Sequence, residues 1–242
     1  MMDELVNPGF LFWNLLGPLM GGYLGISLGE HQLHRHLMHR KRLPKTVYQL
    51  WPYITSIFEG HAVRHHAQWY REFDFEPDEC GKRDNLRIRM VETFWILVGF
   101  APLFALLAWF YPAAAIIGIS MTVLHNRLWN LIHVQMHMPQ EVWFKRNRVF
   151  RFLARNHFMH HVDPRTHYNV VFPCVDYLMG TTCKPKLGHL REMMRLGYLL
   201  PRSARAAAWL DNKTRATEAR RKNFLTTFVS SMTREEAIKV FA

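Results

Sequence analysis

Histidine spacing constrains this chain more than any other feature of its sequence. Ten of the fifteen histidines fall into four clusters, which independent placement would not produce. Neutral imidazole binds iron, copper, zinc and nickel well. A structural zinc uses about four protein ligands and a catalytic zinc about three, so ten imidazoles predict a two-metal centre. In chain order, the first to fourth clusters are His34 and His39; His61, His65 and His66; His133 and His137; and His157, His160 and His161.

The ligand type separates this pattern from the di-metal sites of soluble four-helix bundles. Those sites use mainly glutamate with a Glu-x-x-His motif, and no such motif flanks the clusters. We expect Glu30 and Asp163 to accept hydrogen bonds from imidazole N–H groups. Asn126 and Asn130 could orient a ligand. The simpler interpretation is that their side-chain amides make structural hydrogen bonds inside a helix bundle. The remaining histidines are expected to be structural by default, with His167 the first exception to consider because it follows the fourth cluster closely; they are His31, His36, His125, His167 and His189.

Regular helix geometry predicts how each cluster divides. Residues three or four apart share a helix face, whereas five apart they diverge by about 140°. His61 and His65 should therefore line one face, with His66 turned aside. His34 and His39 cannot aim at one point from a regular helix unless the site lies between them or the helix distorts. The third cluster should share one face and the fourth should form an arc, so the clusters together suit two ions.

Apolar segments predict a membrane protein. Residues 5–29 and 93–126 contain no charged side chain, and a helix needs about 20 apolar residues to cross a hydrocarbon core. Residues 93–126 are too long for one crossing, so we expect a helical hairpin that turns near Tyr111 and Pro112, where proline cannot donate a backbone hydrogen bond. The shorter segment 46–58 is expected to be interfacial or re-entrant.

Charge then predicts the orientation. Basic residues follow the first apolar segment and flank the second, so the positive-inside rule puts the N-terminus outside and a helical cap in the cytoplasm. A two-helix hairpin returns the chain to the side it left, so all four clusters share one membrane face. The predicted fold is therefore all-α: an integral membrane helical bundle of about three crossings with a cytoplasmic helical cap that holds the histidine-rich di-metal site. We expect residues 1–200 to form this domain and residues 201–242 a basic helical tail.

The formal net charge of +12 favours an anionic partner. The basic residues are spread along the cap and tail without a recognisable nucleic-acid module, so anionic lipid headgroups explain the charge better than nucleic acid does. Cys80, Cys174 and Cys183 have no pairing signature and are expected to be free thiols in a reducing compartment.

Five segments resemble the integral-membrane fatty acid hydroxylase superfamily, which includes sterol desaturases, methylsterol oxidases and carotenoid hydroxylases. The match spans roughly residues 26 to 182, and its box spacing is more specific for the superfamily than for a substrate. The matching segments are Glu30 to His39, like the Glu-x-x-x-His-Arg-x-x-x-His box; His61 to His66, like His-x-x-x-His-His; Asn130 to His137; Arg155 to His161; and Val170 to Thr181, like the closing apolar run with an Asp and a terminal Gly-Thr.

The resemblance implies a membrane di-iron monooxygenase that uses molecular oxygen to hydroxylate an unactivated C–H bond of a lipid such as a fatty acyl chain or sterol. The ten clustered histidines would be its metal ligands and catalytic residues, with zinc or another divalent metal possible in purified protein. A desaturase or carotenoid hydroxylase of the same superfamily stays open, and a histidine-rich metal-binding or transport protein is a weaker alternative. No fused flavin or haem domain is evident, so electrons would come from a separate cytochrome b5-like or ferredoxin-like protein.

Overall fold

Helices account for all the regular secondary structure of the described residues, which in the computed structural model are 9, 12–69, 87–137 and 142–230. The prediction of an all-α chain is confirmed over these ranges. The α-helices, in chain order, are α1 (Gly17–Leu33), α2 (Lys45–Leu50), α3 (Pro52–Phe58), α4 (Met90–Gly99), α5 (Ala101–Phe110), α6 (Pro112–His137), α7 (Arg148–Val162), α8 (Cys174–Leu178), α9 (Leu187–Arg195) and α10 (Ala204–Ser230). Three π-helical segments accompany them: π1 (Phe12–Leu16), π2 (His34–Met38) and π3 (Glu59–Trp69).

Helix α1 forms the first apolar segment. It continues from π1, and its first turn contains Pro18, which needs no backbone donor at that position. Met20 and Leu24 are exposed to 61% and 45%, so part of the helix surface is apolar and uncovered. Residues 5–8, 10 and 11 of the predicted segment lie outside the described residues.

The predicted hairpin forms with its turn at the expected place. Helix α5 ends at Phe110 and α6 begins at Pro112. The two helices pack closely, since a Cβ added to Gly118 would lie 3.0 Å from the ring of Phe104. Helix α6 also packs on α1, where a Cβ on Gly22 would lie 3.2 Å from the sulfur of Met121.

Within the described ranges, no single helix is both long and apolar enough to cross a membrane, whereas the pair α4 and α5, bent by 62°, passes that test together. The sequence did not predict this bend, which lies at Phe100. Segment 46–58 folds as the short helices α2 and α3, which are separated at Trp51, directly before Pro52.

The chain divides into two compact units, Met1–Cys183 and Lys184–Ala242. In the first, α7 begins at Arg148 and is capped by Asn147, whose side chain accepts a hydrogen bond from the Val149 N–H at 2.7 Å. In the second, α9 packs on α10, and Arg191 Nε lies 3.1 Å from Asp211 Oδ1. The predicted functional division at residue 200 stays a prediction.

The thiols of the described residues agree with the expectation from the sequence. Cys174 and Cys183 are free, and Cys80 lies outside the described residues.

Candidate metal centre

All ten clustered histidines come together in groups that could hold a metal ion. Within each group, one possible ligand atom per residue lies within 4.8 Å of the others. The five-histidine group, the four-histidine group and a linking group share members, so they form one continuous site. They are His34, His39, His61, His66 and His160; His65, His133, His137 and His157; and His65, His66 and His161.

The first cluster converges because the helix changes its pitch there. Segment π2 begins at His34, and the His39 N–H donates to the His34 carbonyl at 3.1 Å. This bond between residues five apart defines a π-turn and widens the helix. The two imidazoles consequently stack, with ring centroids 5.1 Å apart. The distortion that the five-residue spacing required is therefore present.

The second cluster divides differently from the prediction. Its three histidines lie on π3, where residues five apart are neighbours. His61 and His66 belong to the five-histidine group, with their Nε2 atoms 3.2 Å apart. His65 joins the four-histidine group. The predicted pairing of His61 with His65, and His66 turned aside, is wrong because it assumed a regular α-helix.

The third and fourth clusters lie on regular helices. His133 and His137, four residues apart on the last turns of α6, both belong to the four-histidine group, as their shared face predicts. The fourth cluster lies on α7 and fans out as an arc. Of its members, His157 joins the four-histidine group, His160 the five-histidine group and His161 the linking group.

Burial favours the neutral form of eight of these ten imidazoles. It lowers the pKa of His34 to about 4 and that of His39 to about 2. Burial first, and neighbouring imidazoles second, hold the pKa of six others well below the ordinary value: His61, His65, His66, His157, His160 and His161. Neutral imidazole is the form that binds metal, so these side chains are ready ligands at physiological pH.

The nitrogen separations fit ligands of a shared ion. Nε2 atoms lie 2.8 Å apart in the pair of His34 with His61, and 2.9 Å apart in His39 with His160. In the four-histidine group, the Nε2 atoms of His137 and His157 are 2.9 Å apart. Two imidazoles bound to one first-row metal at about 2.1 Å, at right angles, have nitrogens about 3 Å apart. The donor set therefore suits a metal ion in each of these two groups.

Backbone carbonyls orient two of the ligands. His34 Nδ1 contacts the Tyr168 carbonyl oxygen, and His160 Nδ1 lies 2.7 Å from the Thr166 carbonyl oxygen. Because a carbonyl can only accept, Nδ1 carries the proton and Nε2 presents its lone pair to the group. Sequence reasoning did not find these acceptors.

The expected carboxylate acceptors have other partners. Glu30 accepts from the Val170 N–H at 2.9 Å and from Asn169 Nδ2 at 3.0 Å. Asp163 accepts from Arg165 Nε at 2.9 Å. The prediction that these carboxylates receive ligand N–H groups is therefore wrong. Both lie close to the loop that supplies the carbonyl acceptors, which a sequence pattern alone does not reveal.

The asparagines and outlying histidines have structural contacts. Asn126 and Asn130 both donate to the Ile88 carbonyl, at 3.0 and 2.9 Å, as the simpler interpretation predicts. His167 Nε2 accepts from the Cys183 N–H at 3.0 Å. Among the described residues, none of the five outlying histidines belongs to a candidate metal group. His31, for example, lies with Nε2 3.0 Å from Thr181 Oγ1.

Comparisons of the chain with protein-family models, with curated proteins and with solved structures find no match. The fold and the site thus define a helical protein with a histidine-rich candidate metal centre. The resemblance to the hydroxylase superfamily continues to rest on the four histidine boxes and the closing segment.

Proposed function

We propose that this chain is a membrane di-iron oxygenase that hydroxylates an unactivated C–H bond of a lipid. The observation that carries the proposal is the convergence of ten imidazoles into a five-histidine group and a four-histidine group joined by His65, His66 and His161. Imidazole adds no charge to the ions it binds, and carboxylates contribute nothing to these groups among the described residues. The same ligand set belongs to the superfamily that the histidine boxes resemble.

The residues of the site have distinct tasks in this proposal. The imidazoles hold the ions, and the carbonyls of Thr166 and Tyr168 fix the direction of two ligands. Burial of His133, His157 and His160, each at most 1% exposed, excludes water from the centre. When bound, two iron ions would supply activation of dioxygen and oxidation of the C–H bond.

The exposed apolar surface supports a lipid substrate and a bilayer partner. Trp109 and Phe110 at the end of α5 are exposed to 83% and 71%, and Ile116 on α6 to 65%. Large uncovered apolar surfaces mark membrane or protein contacts. Helix α6 has exposed apolar side chains in its first half and His133 and His137 near its end. A lipid lying along such helices would reach the metal groups from the hydrocarbon side, while the cytoplasmic cap faces the electron donor.

Lipid profiling tests the proposal directly. Membranes from cells that express the wild-type chain, supplied with iron and grown in air, should contain a lipid absent from cells without it. A mass gain of one oxygen atom identifies hydroxylation, whereas a loss of two hydrogen atoms identifies the desaturase alternative. The His160→Ala variant should lack the new lipid, since it removes a ligand from the five-histidine group.

A matched histidine variant controls for protein level and folding. His189→Ala changes a histidine outside all three groups and should give the same product as wild type. If the His160→Ala variant still formed the product, His160 would not be a required ligand. An iron-loaded wild-type protein that changes no lipid in the presence of reductant and oxygen contradicts the proposed activity.

A further inference from the structure

We propose that Glu30 and Asp176 are positioning residues: they hold the backbone of residues 168–170 so that the Tyr168 carbonyl receives the Nδ1–H of His34, and through that bond they set metal affinity at the five-histidine group. This inference rests on the proposed function, because it requires an ion in each of the two large groups. It assigns a role to two carboxylates that are not themselves members of the metal groups: Asp176, which is fully buried, and Glu30, whose side chain is 9% exposed.

Asp176 fixes the peptide unit that contains the acceptor. The side chain is fully buried, and Oδ2 accepts from the Asn169 N–H at 2.8 Å. That N–H and the Tyr168 carbonyl belong to the same planar peptide unit and point in opposite directions. The hydrogen bond from the Asn169 N–H to Asp176 therefore fixes the direction of the Tyr168 carbonyl. Oδ1 accepts from the Tyr168 N–H at 2.9 Å and from Thr181 Oγ1 at 2.8 Å, so the carboxylate itself cannot easily rotate.

Glu30 holds the next peptide unit from the opposite side. Its Oε1 accepts from the Val170 N–H at 2.9 Å, and its Oε2 accepts from Asn169 Nδ2 at 3.0 Å. The same Nδ2 donates to the Ser27 carbonyl at 2.8 Å. Residues 168–170 are thereby held by two carboxylates, with each of the three backbone N–H groups donating to one of them.

The ligand and its acceptor are tied to the same helix. Glu30 precedes His34 by four residues, so the two side chains share one face of the chain as it passes from α1 into π2. Tyr23, on the same side of α1, donates to the Phe172 carbonyl at 2.9 Å. A shift of the loop relative to α1 would change the bond between His34 and Tyr168, and these contacts oppose it.

The consequence is selective for one metal group. Loss of a hydrogen bond to a ligand's second nitrogen typically lowers metal affinity about 10- to 100-fold. His34 belongs to the five-histidine group and not to the four-histidine group. Substituting either carboxylate should consequently lower the affinity for the ion of the five-histidine group and leave the affinity of the four-histidine group unchanged. General damage to the fold would lower both affinities.

Cobalt(II) titration of the full-length protein in detergent tests this selectivity. Bound cobalt is counted by equilibrium dialysis and its coordination is followed by visible absorption. Asp176→Asn and Glu30→Gln keep the side-chain shape but replace one accepting oxygen by an amide NH2. We expect wild type to bind about two ions, and each variant to bind one normally and the other about 10- to 100-fold more weakly.

Glu92→Gln is the matched control. The Glu92 carboxylate also accepts a backbone N–H, from Arg89, and lies 2.8 Å from the Tyr53 hydroxyl. It belongs to none of the metal groups. This variant should bind both ions as wild type does, with the same visible spectrum.

A double variant separates positioning from a structural role. Asp176→Asn added to His34→Ala should cause no further loss at the five-histidine group, because its effect passes through His34. If Asp176→Asn fails to fold, Thr181→Val removes one donor to the carboxylate and should show the same selectivity with a smaller effect.

The outcomes also distinguish this inference from the proposed function. Equal weakening of both ions, or normal binding of two ions by both carboxylate variants, overturns the positioning role alone. Wild-type protein that binds no metal overturns the di-metal proposal and this inference with it.

Discussion

In a histidine that binds metal through Nε2, the hydrogen bond made by Nδ1 fixes the tautomer and the ring orientation. In His34 and His160, a carbonyl bond to Nδ1 leaves the Nε2 lone pair available for an ion. Neither carbonyl belongs to a side chain, so no residue type at Thr166 or Tyr168 signals this role in the sequence. The ten ligand candidates could be predicted from histidine spacing, whereas their acceptors depend on contacts between residues as far as 134 positions apart.

Single ligands should affect the two large groups separately. His39→Ala removes a member of the five-histidine group only, and His133→Ala a member of the four-histidine group only. Each variant, loaded with iron without oxygen, should keep one ion as tightly as wild type does and bind the other more weakly, because only one of the two groups loses a ligand. Elemental analysis after desalting measures the ratio. Loss of both ions from His39→Ala would show that the groups do not bind independently.

His167 should matter for stability and not for metal binding. Its buried Nε2 accepts the Cys183 N–H, and its backbone has a positive φ of 53°. His167→Ala leaves that N–H without its acceptor, which costs about 1–3 kcal/mol. Denaturant unfolding of the full chain should show this loss of stability, while the metal content stays at about two ions per chain. A fall to one ion would contradict this purely structural role.

At the scale of helices, the π-segments explain why the second cluster divides differently from the prediction. Regular geometry at 3.6 residues per turn separates His61 from His66, whereas π3 brings their Nε2 atoms within 3.2 Å. A π-segment is rare and often lies at a functional site. The five-residue spacing in both the first and second clusters was the available signal, and for the first cluster it already required a distorted helix.

Deleting one residue from π3 should move His61 away from the other members of the five-histidine group. Deletion of Val63 places His61 four residues before His66, a spacing that suits an α-turn. We expect the five-histidine group to bind metal at least about 10-fold more weakly, because His61 no longer has its neighbours in register. Cobalt titration with visible absorption measures the change. Val63→Ala is the control, since it alters the same exposed side chain without changing the spacing, and equal metal binding by both variants would contradict the importance of the π-segment.

At the scale of the whole molecule, the histidine sites lie at the ends of apolar helices. Helix α1 leads directly into His34, and α6 ends at His137. The sequence predicted the hairpin turn at Tyr111 because proline follows it, but it did not predict the bend between α4 and α5 at Phe100. Pro102 lies in the first turn of α5 and lacks the backbone N–H that a continuous helix would need there, so the bend has a sequence signal that the hairpin interpretation did not use.

The proposed three-crossing topology makes a prediction about the N-terminus. The first apolar segment precedes the basic residues Arg35, Arg40 and Lys41, and the hairpin tip at Tyr111 and Pro112 is uncharged. Under the proposed topology, the positive-inside rule would put the N-terminus outside the cell and the histidine cap inside. An N-terminal epitope tag should bind antibody on intact cells, whereas a tag placed after residue 242 should require permeabilisation. Protection of the N-terminal tag would remove the three-crossing arrangement, because an even number of crossings would then separate it from the cap.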